Sequence, residues 1–172
     1  MNILFLGRLD DFKDPVTFVR ASNKLEQHRF ILAGEGPLFQ ECKNEAKTQN
    51  ISFLGWVNHS KAQELIREAD IFCQLSPIEN IWAASLIEAM KNKKAIICTD
   101  AGYTNKYLEN GQHVLLIPAK SPDALIEAVK RLQNSRLRAK LGRNARNFIK
   151  KNMTVQKITK EVINAIQETI RK

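Results

Sequence analysis

Two apolar rhythms alternate along this chain. Short runs rich in β-branched and aromatic residues, at 3–6, 29–33, 51–54, 71–75, 95–99 and 114–117, read as strands. Between and after them lie helical patterns over 15–26, 38–48, 61–68, 83–91, 122–132, 136–150 and 155–171. This alternation predicts parallel βαβ units, and the expected fold class is α/β with a doubly wound, Rossmann-like parallel sheet. Ser121 before Pro122 reads as an N-cap followed by proline at the first helical position, and Thr154 can cap the last helix. That helix carries Val155, Ile158, Val162, Ile166 and Ile170 on one stripe, which needs something to pack on.

With 172 residues, 44% hydrophobic and 26% charged, the composition is that of one ordinary globular domain. No apolar run approaches the roughly 20 residues that span a bilayer, and the N-terminus carries no signal-peptide pattern. Of three cysteines, Cys73 and Cys98 lie in apolar strands, where a thiol acts as a small hydrophobe; a reduced, cytoplasmic setting is the expectation. The formal charge of +9 is lopsided. Residues 1–119 hold 13 Lys/Arg and 14 Asp/Glu, a net of −1, whereas residues 120–172 hold 14 and 4, a net of +10.

Candidate chemistry clusters in the turns that follow strands. Gly7, Arg8 and Lys13 follow the first strand, where a doubly wound sheet receives phosphates. Two cations there suit a diphosphate, or else form a solvated turn salt-bridged to Asp10, Asp11 or Asp14. Gly34-Glu35-Gly36-Pro37 follows the second strand and permits either close backbone approach or a tight turn. Gly55-Trp56-Val57 follows the third, and Trp56 reads as a packing residue in preference to a stacking platform. Glu79 and Glu88 flank an apolar segment after the fourth strand. Glu88, between Ile87 and Ala89, suits bidentate bonding to ribose hydroxyls, or else reaches solvent or a neighbouring amide. The helix beginning near residue 83 would aim its first amides at an anion. His28, His59 and His113 are too widely spaced, and too poor in carboxylate company, to predict a metal site.

Taken in order, Gly7-Arg8-Leu9 then Lys13, Gly34-x-Gly36-Pro37, Gly55-Trp56-Val57, Ser76-x-x-Glu79 and Glu88-Ala89-Met90 resemble the C-terminal half of a retaining GT-B glycosyltransferase of family four. The match spans nearly all of residues 2–150. The resemblance implies a donor-binding α/β domain over 1–150 and, over 151–172, an amphipathic helix packing on this domain or on an N-terminal one. By the same resemblance, Arg8 and Lys13 contact the donor diphosphate, and Glu88 holds the ribose. Glu79 serves the sugar, Gly55 and Val57 border the base, and Gly34, Ala84, Ser85 and Leu86 offer main-chain contacts. It further implies transfer of a hexose or N-acetylhexosamine from a nucleoside-diphosphate sugar, UDP-linked in preference to GDP-linked, without a metal or other cofactor. The acceptor, a glycan or a lipid-linked glycan, would bind an N-terminal domain that is missing here, which leaves this chain inactive alone.

Departures from the pattern affect donor choice more than fold. The family places seven residues between its two acids; here eight separate Glu79 from Glu88, and Asn80 occupies the aligned position. Glycine after Glu-Ala-Met is replaced by Lys91, Asn92, Lys93 and Lys94, with Asn92 the candidate for the left-handed helix end. Tyr103 adds bulk beside Gly102. These changes keep a non-catalytic nucleotide-sugar-binding module in view as the alternative, with an epimerase of the same architecture behind it. The basic face of residues 136–151 reads as solvated surface or as a peripheral contact with anionic membrane; without interleaved aromatics it does not predict nucleic-acid binding.

Overall fold

The computed structural model describes residues 1–78, 83–101 and 104–152. Six parallel strands, β1 (Asn2–Leu6), β2 (Arg29–Ala33), β3 (Ile51–Gly55), β4 (Ile71–Gln74), β5 (Ala95–Thr99) and β6 (Leu115–Ile117), form one sheet in the order β3-β2-β1-β4-β5-β6. Seven helices are described: α1 (Pro15–Ser22), α2 (Phe39–Glu45), α3 (His59–Glu68), α4 (Ala84–Lys91), α5 (Thr104–Tyr107), α6 (Pro122–Arg131) and α7 (Ser135–Asn152). The expected doubly wound α/β sheet is what forms.

Strand alternation divides the core in two. Ile3, Phe5, Phe30, Leu32, Ile71, Cys73 and Ile97 pack on one face with Phe18 and Val19 of α1, Cys42 of α2 and Leu125 and Val129 of α6. Leu4, Ile31, Phe72, Ile96 and Cys98 point the other way, against Leu65 and Ile66 of α3, Ala89 and Met90 of α4 and Ala145 and Ile149 of α7. The chain runs outward from β1 through β2 to β3, then returns to β4 on the other side of β1. That reversal opens a crevice between the turns at the carboxyl ends of β1 and β4.

Caps account for most boundaries. Ser121 accepts from the amide of Ala124 at 3.3 Å with Pro122 next, as the sequence predicts. α1 stops at Ser22, short of the predicted 26, because Lys24 and Leu25 turn to i−3 bonds on Ala21 and Ser22. α2 stops at Glu45 because the Asn23 side chain donates to Glu45 O and accepts from Lys47 N, both at 2.8 Å. At the end of α4 the left-handed residue is Lys93 (φ 57), not Asn92. Asn92 keeps φ −84 as the C-cap and uses its side chain to donate to Glu88 O at 2.8 Å, a bond that holds it out of the left-handed region. The short α5 has too few residues to show a period, and the sequence reading misses it. Thr154 and the apolar stripe from Val155 to Ile170 lie outside the described residues.

Candidate functional site

A cleft of about 460 Å³ opens at the carboxyl edge of the sheet, lined by the turns after β1, β2 and β3 and by the start of α4. Four main-chain hydrogen bonds lock those turns together. Gly7 N donates to Ala33 O at 3.1 Å, Leu9 N to Glu35 O at 2.9 Å, Gly34 N to Gly55 O at 2.8 Å and Leu38 N to Leu9 O at 2.9 Å. Two glycines make this approach possible. A Cβ on Gly34 (φ +143) would fall 1.8 Å from Gly7 O, and one on Gly36 (φ +157) 2.4 Å from Leu9 O. Close approach of backbone, not merely a tight turn, is therefore what the Gly-x-Gly provides.

Asp10 organises the cations. It is 6% exposed, and its carboxylate accepts from Arg8 Nε on one oxygen and from Lys13 N, at 3.1 Å, on the other. Its carbonyl accepts from Lys13 N and Asp14 N as well. The Arg8 guanidinium is 67% exposed and is held through Nε, so its outer edge remains toward the cleft that it lines. The Lys13 stem passes 4.0 Å from the position of a Gly7 Cβ, and Lys13 lines the same cleft. The salt bridge to Asp10 and an exposed guanidinium beside the cleft thus coexist in one turn. Sequence reasoning names Asp10 only as a neutralising partner; its burial and its bonds to Arg8 Nε and the Lys13 amide make it the centre of the turn that carries both cations.

On the far side of the turn, Asp14 caps α1 from a left-handed conformation (φ 51), accepting from Thr17 N at 3.4 Å. Its second carboxylate oxygen is buried without a hydrogen-bond partner. Burial raises its pKa above the usual carboxylate value, against the lowering effects of the Thr17 hydrogen bonds and of Lys120.

Of the predicted site residues, Arg8, Lys13, Gly34, Val57, Ala84 and Ser85 line this one cleft. Gly55 stands behind the lining, its carbonyl held by Gly34 N. The Leu86 side chain is buried in the core, which leaves only its main chain for contact. Glu88 is half-buried one turn further along α4, and Lys91 Nζ lies 3.0 Å from its Oε1. Glu79, Asn80 and Tyr103 lie outside the described residues. Among the lining residues that sequence reasoning did not assign to the site, Glu35, whose only signal is its place between Gly34 and Gly36, and Trp56 carry the polar and the aromatic side chain. Trp56 is 70% exposed, so the packing reading is wrong; Val57 is the neighbour that packs inward. No group of three metal-ligating side chains occurs among the described residues. His28 sits near Gln133, His59 on α3 and His113 against Phe148, all away from the cleft lining.

The Glycosyl transferases group 1 family model matches residues 2–148. An enzyme of Campylobacter jejuni, GalNAc-alpha-(1->4)-GalNAc-alpha-(1->3)-diNAcBac-PP-undecaprenol alpha-1,4-N-acetyl-D-galactosaminyltransferase, is 38% identical over 95 residues, 51% of this chain and 26% of that protein. The C-terminal domain of a group 1 family glycosyl transferase, LpcC, from Francisella tularensis superposes with a TM-score of 0.76 at 22% identity, over 90% of this chain and 86% of that one. HepE of Anabaena, solved in complex with UDP, superposes with a TM-score of 0.82 at 17% identity, over 97% of this chain and 48% of that one. At these identities the two structures establish the GT-B, Rossmann-like fold alone. The chain spans less than half the length of the curated relatives it matches.

Proposed function

We propose, for a chain that belongs to the group 1 glycosyl transferases, that its cleft binds the nucleoside-diphosphate-sugar donor of a retaining family-four enzyme. The carrying observation is the convergence of Arg8, Lys13 and the first turn of α4 on one cleft at the switch point of the sheet. Oriented cations and helix amides stabilise the charge that grows on a departing diphosphate. Asp10 fixes the turn before the ligand arrives, so little ordering cost remains at the moment of reaction. Glu88 is assigned to the ribose hydroxyls, a role that requires it to exchange or share its contact with Lys91. Glu79 or Asn80 serves the sugar.

A UDP-linked hexose or N-acetylhexosamine is the favoured donor, with GDP-sugars second, and no metal or cofactor is invoked. HepE was solved with UDP, which supports this preference. The acceptor is a glycan or lipid-linked glycan, a class to which the name of the Campylobacter relative points. We assign its grip to a separate N-terminal domain, with the present chain as the C-terminal, donor-binding half. LpcC, matched over 86% of a C-terminal domain, supports that placement. No described helix is long and apolar enough to cross a membrane. A lipid-carried acceptor would be met by peripheral contact through the exposed Arg136, Lys140, Arg143, Lys150 and Lys151 of α7 at the inner membrane face. Arg138 does not belong to that face, because it donates to Leu132 O at 2.5 Å and Gln133 O at 3.0 Å and so closes the end of α6.

A thermal-shift panel of UDP-, GDP- and ADP-sugars on this chain tests the donor assignment. A ligand at 100 times its Kd stabilises by about 2.7 kcal/mol, and at least one donor is expected to give a saturable shift. Flat responses to all three at millimolar concentration would remove the assignment.

A further inference from the structure

The turn that carries Arg8 and Lys13 is held from within by Asp10 and from across the crevice by a residue of another strand. The peptide unit joining Phe12 to Lys13 is gripped at both ends. Its N–H, on Lys13, donates to Asp10 O at 3.0 Å and to Asp10 Oδ1 at 3.1 Å. Its carbonyl, on Phe12, accepts from Ser76 Oγ at 2.5 Å. Ser76 lies just past β4, 64 positions from Phe12 along the chain, and is 5% exposed.

The Phe12 ring is no substitute for this bond. It is 55% exposed, so packing of that side chain does little to fix the peptide. Hydrogen bonds therefore set where this backbone sits, and with it the point from which the Lys13 side chain starts. Lysine meets a phosphate as a point charge on a flexible stem, without the rigid fork by which arginine orients itself. Freedom in the peptide beneath such a stem spreads the ammonium over more positions and raises the entropy cost of engaging a ligand. Ser76 also stands at the switch point of the sheet. Leu75 before it is buried, and the chain after it leads to α4, whose Ala84 and Ser85 form the opposite wall of the cleft. One buried hydroxyl thus ties the cation turn of β1 to the strand that feeds the other wall.

We propose that Ser76 is a positioning residue, which holds the Phe12–Lys13 peptide where the Lys13 ammonium reaches the diphosphate of the bound nucleotide. The proposal rests on the donor-site reading and adds a residue that does not line the cleft and acts through Lys13.

Calorimetric titration of the 172-residue chain with UDP and GDP, unsubstituted and as Ser76→Ala, Lys13→Ala and the double variant, tests it. Ser76→Ala is expected to weaken the nucleotide that binds by roughly three- to tenfold. In the Lys13→Ala background the same substitution should change affinity by less than about twofold, because the group it positions is gone. Without nucleotide, hydrogen exchange at the Lys13 amide should quicken in Ser76→Ala while that at the Gly34 amide stays unchanged; general destabilisation would quicken both. Ser76→Cys keeps the side chain's place with a weak donor, is expected to give the same pattern, and serves where Ser76→Ala does not fold. An equal loss in both backgrounds, or unchanged affinity in Ser76→Ala and Ser76→Cys, overturns the positioning role and leaves the donor site standing. No saturable binding of UDP or GDP by the unsubstituted chain overturns the donor site and the positioning role together.

Discussion

The cleft turns of the β1–β3 half and the end of α4 in the β4–β6 half solve the same steric problem in opposite ways. Around the cleft, glycine itself occupies the demanding positions: Gly34, Gly36 and Gly55 all carry positive φ, and Gly34 and Gly36 press against neighbouring main chain. In the other half, Lys93 (φ 57) and Lys120 (φ 53) hold left-handed positions where glycine would be less strained. Close approach there is met by the partner instead. Gly142 of α7 sits over Lys93, and a Cβ on Gly142 would fall 1.9 Å from Lys93 O. The difference teaches where backbone must stay open. Glycine sits where main chain meets main chain beside the cleft, whereas lysine suffices where the end of α4 has to turn.

The largest expected effects break this contrast directly. Gly34→Ala should cost about 3 kcal/mol of stability and abolish nucleotide binding, because the added methyl collides with Gly7 O in the cation-bearing turn. Gly142→Ala should destabilise by a similar amount but leave nucleotide affinity of the folded fraction intact, since it meets only Lys93 behind α4. Denaturant melts with parallel UDP titrations separate the two, and a binding loss in Gly142→Ala would mean that the halves are not independent. Next in size, Arg8→Ala and Lys13→Ala should each weaken a nucleoside diphosphate by about 1.5–3 kcal/mol while sparing the nucleoside. Equal losses for both ligands would show that neither cation faces phosphate.

A smaller effect sits just outside the cleft turn. Burial favours the protonated form of Asp14, so its folded pKa is raised above 3.8. A raised acid stabilises the fold fully below its unfolded pKa and loses that contribution as pH rises through the folded value. Asp14→Asn, which removes the charge and suits the left-handed cap, is expected to stabilise by about 1 kcal/mol at neutral pH. The advantage should vanish below about pH 3.8, in melts across pH. Smallest, Lys93→Gly should relieve the left-handed strain and gain about 0.5–1 kcal/mol, a shift of a few degrees in Tm.

Much of this architecture is legible in the sequence because it rests on local signals. Alternating runs place all six strands within two residues, and the Ser121-Pro122 cap appears where it is read. The candidates that meet in one cleft were legible through turn chemistry: Arg8, Lys13 and Gly34 follow strands and come together at the sheet edge. Long-range features are where reading fails. Lys93 adopts the left-handed conformation in place of Asn92 because the Asn92 side chain finds Glu88 O, and the Gly142 contact lies on a helix 49 positions away in sequence. Burial of Asp10 and exposure of Trp56 are likewise set by tertiary packing, which a turn residue's identity does not encode. Arg138 joins a basic stripe in sequence and leaves it in the fold, since its guanidinium finds two carbonyls at the end of α6.

Amide chemical-shift mapping on titration with UDP tests the central claim most directly, because it locates the ligand without presupposing a residue. The account predicts saturable shifts concentrated at Gly7, Arg8, Gly34, Val57, Ala84 and Ser85, which come from three separate turns and the start of α4 and meet only at the cleft. Shifts confined instead to a separate cavity lined by Tyr107, His113 and Asn144, or the absence of any saturable shift, would contradict it.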